Sequence, residues 1–385
     1  MRTYRLVLLV VACAAAVSVL RAATEPPAPW AYGFDTPAPP PGTPPAPAGR
    51  GGGRGAPPPP DPMQYSVPGS DVKMTRAQIG NAYNVGDWFP TDHPKLPYVV
   101  QYGKAPDVRA CGLCHLINGK GRPENASVSG LPVAYFIQQL NDFRNDLRRS
   151  ADPRKANTNI MATIAKGMSD EEMKAAAEYF AQIPWNTQWI KVVESPTVAK
   201  TRSAAGMWMS LENKETEPIG NRIVETPTNT EENNTLRSAH GTWTAYVPVG
   251  SIKKGQDLVV RAGMKIVNGQ IVQGKTTACA TCHGTDYMGI APDVPPLAGR
   301  SPSYLAREIF DIQQGIRNGS NSNIALMRMV VEKLTPEDII NITAYLASLP
   351  LSPSGKPAPA TGEPITSQPN QAKPAGGPVA SLQTR

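Results

Sequence analysis

Cys111-Gly112-Leu113-Cys114-His115 and Cys279-Ala280-Thr281-Cys282-His283 are the stretches on which the reading of this 385-residue chain turns. Each is Cys-X-X-Cys-His, and together they use four of the five cysteines and two of the four histidines. The spacing suits covalent haem attachment. Two thiols three residues apart each bond one vinyl group of a porphyrin, and the next residue, histidine, sits under the iron as its proximal ligand. Cys-X-X-Cys alone also serves zinc sites, disulfides and redox thiols. A structural zinc site needs four protein ligands, whereas each motif supplies three and only His93, His240 and Cys13 remain to complete them. A thioredoxin-type site comes after a strand in a βαβ unit, and no such alternation surrounds either motif. The expected cofactors are two covalently bound haem c groups, held by Cys111, Cys114, Cys279 and Cys282, with His115 and His283 on the irons.

The motifs are offset by 168 residues, and the stretches downstream of them are alike, which marks an internal duplication. Ser129-Gly130 leads into the run Tyr135 to Arg144 in the first copy, and Leu297-Ala298-Gly299 into Tyr304 to Asp311 in the second. Both runs read as amphipathic helices with apolar residues three and four apart. Ser169-Asp170-Glu171 and Thr335-Pro336-Glu337 then look like helix N-caps with acids in the first turn, opening helices over Met173 to Ala181 and Ile339 to Ser348. Ile183-Pro184 and Leu349-Pro350 end them. Met161 stands 46 residues after His115 and Met327 stands 44 after His283. Most methionines are core packing, but matched positions in a duplicated haem domain mark these two as axial iron ligands, with Met329 close enough to compete with Met327.

On these three blocks the chain resembles a tandem di-haem class I cytochrome c of bacterial respiratory chains, over about residues 75–190 and 251–350. The resemblance implies a small, mostly helical fold around one haem per domain, with His115 and His283 proximal, Met161 and Met327 distal, and electrons passed without substrate turnover. Two positions depart from it. The family's glycine after the haem histidine is Gly284 in the second copy but Leu116 in the first. Its proline, whose carbonyl fixes the histidine ring, is Pro295 in the second copy but Ala126 in the first. The expectation is a looser proximal side at the first haem and two unequal haem potentials.

The fold class expected is mostly α: two cytochrome-c-like helical domains, each around one covalent haem, with a mixed connecting segment and disordered tails. Arg2 and Arg5 precede an apolar run from Leu6 to Leu20 and small residues at Ala22 and Ala23. This reads as a signal peptide over residues 1–23, since fifteen apolar residues fall short of the roughly 20 that cross a bilayer. A lipid anchor on Cys13 and an uncleaved N-terminal membrane tether are the alternatives, and all three export the protein to the periplasm. Residues 24–70 form a Pro/Gly/Ala-rich disordered spacer and residues 351–385 a similar tail. Residues 71–190 and 251–350 are the haem domains, and 191–250 the connector. Within the connector, Arg222 to Glu225 and Thr242 to Val247 read as short strands spanning both domains. Met264 to Val272 reads as a hairpin turning at Asn268-Gly269.

The formal charge of +7 does not indicate nucleic acid. Residues 76–190 carry 13 basic and 11 acidic side chains and residues 251–350 carry 10 and 8, so each domain is near balance. No arginine stripe interleaves with aromatic residues. His93 and His240 read as surface residues, and the tryptophans as packing. The function expected is a periplasmic di-haem electron carrier whose partners are redox proteins: a dehydrogenase, a quinol-oxidising complex or a terminal oxidase. The alternative is the haem-carrying subunit of a periplasmic dehydrogenase or terminal oxidase. A di-haem peroxidase needs an open distal position, which a methionine in each copy opposes.

Overall fold

Residues 26–39, 62–186 and 188–351 are described by the computed structural model. The export signal expected over residues 1–23, the middle of the spacer and the tail after Leu351 lie outside the described residues. The chain starts with α1 (Pro29–Tyr32), a two-stranded ladder of β1 (Gln64–Tyr65) and β2 (Met74–Thr75), and the single turn α2 (Arg76–Ile79). The first helical unit comes next, with α3 (Tyr98–Gln101), α4 (Cys111–His115), α5 (Val133–Arg144), α6 (Ala156–Gly167) and α7 (Asp170–Gln182). The connector holds β3 (Ile190–Glu194), β4 (Thr197–Ala199), β5 (Thr201–Ala204), β6 (Met207–Ser210), β7 (Thr216–Pro218), β8 (Val224–Pro227) and β9 (Trp243–Val247). The second helical unit has α8 (Ser251–Arg261), β10 (Lys265–Val267), β11 (Gln270–Val272), α9 (Ala280–His283), α10 (Pro302–Gln313), α11 (Asn323–Val331) and α12 (Pro336–Ser348).

Equivalent local chemistry builds the two helical units. α7 starts at a capping box in which the Ser169 hydroxyl accepts from the Glu172 N–H and the Glu172 carboxylate accepts from the Ser169 N–H. Thr335 and Asp338 do the same for α12, with Pro336 at its first helical position. Such boxes satisfy donors that a helix start leaves open. α7 buries Met173, Ala176, Ala177 and Phe180 against Phe136, Leu140 and Phe143 of α5, and α12 buries Ile339, Ile342 and Leu346 against Leu305, Ile309 and Phe310 of α10. α8 crosses α12 so closely that a Cβ on Gly255 would lie 1.8 Å from the Asn341 carbonyl oxygen.

The connector is more sheet-rich than its polar sequence suggests. β3 runs parallel to β9 in the register Ile190 to Trp243, and β8 pairs antiparallel on the other side of β9. β9 alternates, with Trp243, Ala245 and Val247 buried beside Trp185, Trp189 and Ile223, and this layer closes on Ile340 and Ala344 of α12. Elsewhere the connector meets residues ahead of the first haem motif, where Trp88 donates its indole N–H to the Leu236 carbonyl at 2.7 Å. The connector thus touches both helical units.

Part of the stretch expected as unstructured spacer is folded. α1 buries Ala31 and Tyr32 between the two units and the connector. Arg307 donates to the Ala31 carbonyl and to that of Pro123, Lys155 to that of Tyr32, Trp208 to that of Trp30, and the Ser203 hydroxyl to that of Gly33. Composition predicted otherwise because proline and alanine dominate the neighbourhood. The aromatics Trp30, Tyr32 and Phe34 are what dock it.

Candidate haem sites

Each Cys-X-X-Cys-His motif winds into a single helical turn, α4 or α9, which puts its histidine at the last position and turns it toward a cavity. The second cavity encloses about 1390 Å³, including its mouth, and is lined by Cys279, Cys282, His283, Pro295, Leu305, Ile309, Met327 and Leu346 among others. The first encloses about 860 Å³ and is lined by His115, Ala126, Val128, Phe136, Leu140, Phe143 and Met161. Cys111 and Cys114 are not in that lining. They pack alongside on the same core, which also takes up Met161. Met327 lies on α11 facing the second cavity, whereas Met329 is 68% exposed and lines neither.

Both histidines are held alike. His115 Nδ1 lies 2.8 Å from the Ala126 carbonyl oxygen and His283 Nδ1 lies 2.8 Å from that of Pro295. The expected looser proximal side at the first site is therefore corrected. The acceptor is a main-chain carbonyl, which alanine supplies as well as proline. Burial lowers both histidine pKa values, against the opposing effect of those carbonyl bonds. Each imidazole is thus kept neutral with Nδ1 as donor, the tautomer that leaves Nε2 free for a metal. Burial also pushes the Cys111 and Cys279 thiols up to about 12. These are the opposite of the low-pKa thiolates that a thiol oxidoreductase needs.

The donor set fits haem c. A chamber with an apolar face, two thiols beside it, a neutral histidine oriented from behind and a thioether facing the same chamber are what one thioether-bonded, histidine–methionine haem requires, and the first chamber is the more polar of the two. Leu116 and Gly284, the residues after the histidines, both take positive φ, at 59° and 80°. The turn needs a left-handed residue whichever side chain it carries.

Other residues fall differently from expectation. The His93 side chain is only 7% exposed, with Nε2 2.9 Å from Asp87 Oδ2, so it is a buried partner and not a surface residue. His240 is half exposed, bonded to Asp92 and stacked on Phe89. Neither lines either of the two chambers. Sequence reading missed the polar wall common to both chambers, to which Tyr135, Gln139 and Glu308 contribute. A signal was present in the constant offset of Tyr135 and Tyr304, Arg148 and Arg317 within the repeat. The domain seam beside it is also polar. Arg300, 1% exposed, donates to the carbonyls of Ser127 and Ser129 and lies over the Trp185 ring, whose indole N–H bonds Ala298.

Comparison with known proteins agrees with this geometry. The cytochrome c family model matches residues 100–184 and again 266–350. Cytochrome c-554(548) of Halomonas halodenitrificans is 42% identical over 76 residues, 20% of this chain and 89% of that protein. The thiosulfate dehydrogenase electron acceptor of Stutzerimonas stutzeri is 23% identical over 258 residues, 66% of this chain and 86% of that protein. A solved cytochrome c4 of Acidithiobacillus ferrooxidans superposes with a TM-score of 0.36 at 18% identity, covering 62% of this chain and 98% of that one. With one motif and one match in each half, the chain belongs to the cytochrome c family, as a tandem di-haem electron carrier with two covalent haem c groups.

Proposed function

We propose that the protein is exported and relays electrons from a dehydrogenase to a further redox protein, with His115 and Met161 as the axial pair of the first haem and His283 and Met327 as that of the second. The observation that carries this reading is that, in each domain, the motif histidine and one methionine line the same chamber. Haem c bound there supplies reversible one-electron exchange between ferrous and ferric iron. The carbonyls of Ala126 and Pro295 orient the histidine rings and make them stronger donors. The methionine thioethers are soft donors that favour the ferrous form and raise the potential. The apolar part of each lining would keep water from the metal, more completely in the second chamber than in the first, whose wall also carries Glu124, Arg148, Lys155 and Asp311. With a histidine and a methionine holding each iron, no coordination position would be left for a peroxide, which disfavours the peroxidase alternative.

A dehydrogenase as donor is favoured by relatives in Stutzerimonas stutzeri and Thiomonas intermedia named as thiosulfate dehydrogenase electron acceptors, which this chain matches over 86% and 82% of their length. Whether the protein is a free carrier or a fixed subunit is read by purifying it natively and identifying what remains bound.

The ligand assignment is tested by the weak near-infrared sulfur-to-iron band of the oxidised protein. Met161→Ala and Met327→Ala are each expected to remove about half of it and to lower one haem potential, while Met329→Ala leaves it intact. If Met329→Ala halves the band and Met327→Ala does not, the second ligand is Met329.

A further inference from the structure

The wall between the two chambers is built from equivalent positions of the repeat, with one asymmetry. Arg148 and Arg317 face each other across an isolated antiparallel bridge, each having turned back after its helix to bond the main-chain carbonyl of Asp142 or Asp311. Between the two guanidiniums lie Gln139 of α5 and Glu308 of α10, which are repeat-mates at the same 169-residue offset as the arginines. Gln139 Oε1 accepts from both arginines at 2.9 Å. Glu308 Oε1 accepts from Arg148 at 2.7 Å, and its Oε2 lies 2.5 Å from Arg317 Nη1, a charge contact without hydrogen-bond alignment. The arginines are 9% and 8% exposed. Two cations and one anion leave this largely buried square one net positive charge, with Asp142 against Gln139 and with Arg307 and Asp311 near Glu308 just outside it. A glutamate at both repeat positions would make it neutral, and a glutamine at both would double its charge.

We propose that Glu308 is a positioning residue for electron transfer that sets the charge of this shared wall, and that it lowers both haem potentials together. It thereby adjusts the haem pair against outside partners and leaves the step between the haems nearly unchanged. The physical basis is placement. Gln139 and Glu308 each line both chambers, and a charge sealed from solvent acts over distances at which an exposed one is screened. A carboxylate stabilises the more positive ferric state. Burial pulls the Glu308 carboxyl up, but Arg148 and Arg317 outweigh it and hold the group below its ordinary range, so it stays ionised. The inference rests on the two-haem reading and is indifferent to which methionines bind iron.

The test uses the intact holoprotein with E308Q, Q139E and the double exchange, each taken through spectroelectrochemical titration and thermal unfolding. E308Q is expected to raise both midpoints in parallel, each reduction equilibrium becoming about tenfold more favourable (~59 mV for one electron). Q139E is expected to lower both, and the double exchange to bring both back toward wild type. Opposite signs are the signature of charge, because a seam merely loosened by either change would shift the potentials the same way. The proposal is overturned if E308Q moves neither midpoint, if it moves one alone, or if E308Q and Q139E shift in the same direction. Lowered stability with unmoved potentials would make Glu308 a latch between domains and also overturn it. Should E308Q fail to accumulate, Q139E alone must still lower both midpoints. An intact mass that does not exceed the polypeptide by two haems would instead sink the two-haem reading.

Discussion

The residue after each haem histidine adopts φ near +60° to +80°, a region that costs a side-chain-bearing residue about 1–3 kcal/mol. Gly284 takes it freely, and Leu116 is held there while buried at 7% exposure. A Cβ on Gly284 would also approach Asp286 Oδ1 at 3.1 Å. Gly284→Ala is therefore expected to destabilise the second domain by about 1–2 kcal/mol, read as a lower denaturant midpoint with an unchanged slope. At this scale the sequence is legible where chemistry is spelled by side chains. The two Cys-X-X-Cys-His motifs stand out by spacing alone, and matched spacing makes Met161 and Met327 the candidates that line the chambers. The acceptor behind His115 does not stand out, because it is a carbonyl and carries no residue identity. An alanine there looks like a loss, yet the bond length equals that behind His283. His93 misleads for a related reason. A histidine among prolines gives no hint that Asp87 will close over it.

Among the elements, caps and hairpin are the easiest to read. The boxes at Ser169 and Thr335 are local, and the Asn268-Gly269 turn lies between β10 and β11 as its dipeptide predicts. β8 and β9 sit near the expected strands, but β4 to β7 give no period to follow. They form two-stranded pieces; the side chains of β4, β5 and β7 are largely polar or half exposed, while β6 buries Met207, Trp208 and Met209 in succession, so tertiary contact and not alternation decides them. The α8–α12 crossing is also hidden, since a glycine inside a helix reads as a weakness until a second helix is laid across it. With the Asn341 carbonyl in the way, Gly255→Ala is expected to push the helices apart and cost about 1–3 kcal/mol. Unfolding of the holoprotein monitored at the second haem would measure it. Alanine is favoured over glycine within helices by about 1 kcal/mol, so a net gain of that order would mean that the crossing yields easily.

Over the whole molecule, a polar seam joins the two units beside the apolar layer in which Trp185 and Trp189 meet Ile340 and Ala344. Its clearest titratable group is Asp311. Burial pushes that carboxyl up to about 7, opposed by the bonds from Tyr32 and the Ala151 N–H and by Arg307, and assisted by Glu308. The unfolded value is about 3.9, so the native chain holds a proton that the unfolded chain has already released. The resulting stability is fully present below about pH 4 and is lost as pH rises through 7. Asp311→Asn is expected to flatten that decline, which chemical denaturation of both proteins at pH 5 and pH 8 would show. Equal slopes in the two proteins would mean that Asp311 is already ionised in the fold. None of this seam is readable in advance, because its partners come from α1, the Asp152–Lys155 turn, the connector and α10, and only the fold brings them together.

The docking of α1 has a consequence for the order in which the molecule is assembled. Tyr32 bonds Asp311 across 279 residues of chain, and Arg307 reaches back to Ala31 across 276. The seat of α1 is therefore built by a helix far along the chain, in the second unit. Contacts this remote in sequence are the slowest to form, so closure around α1 is a terminal event, after each Cys-X-X-Cys-His turn can already have formed locally. In this architecture α1 works as a clasp that ties the two units and the connector together at one point, and it can close only when α10 is already in position.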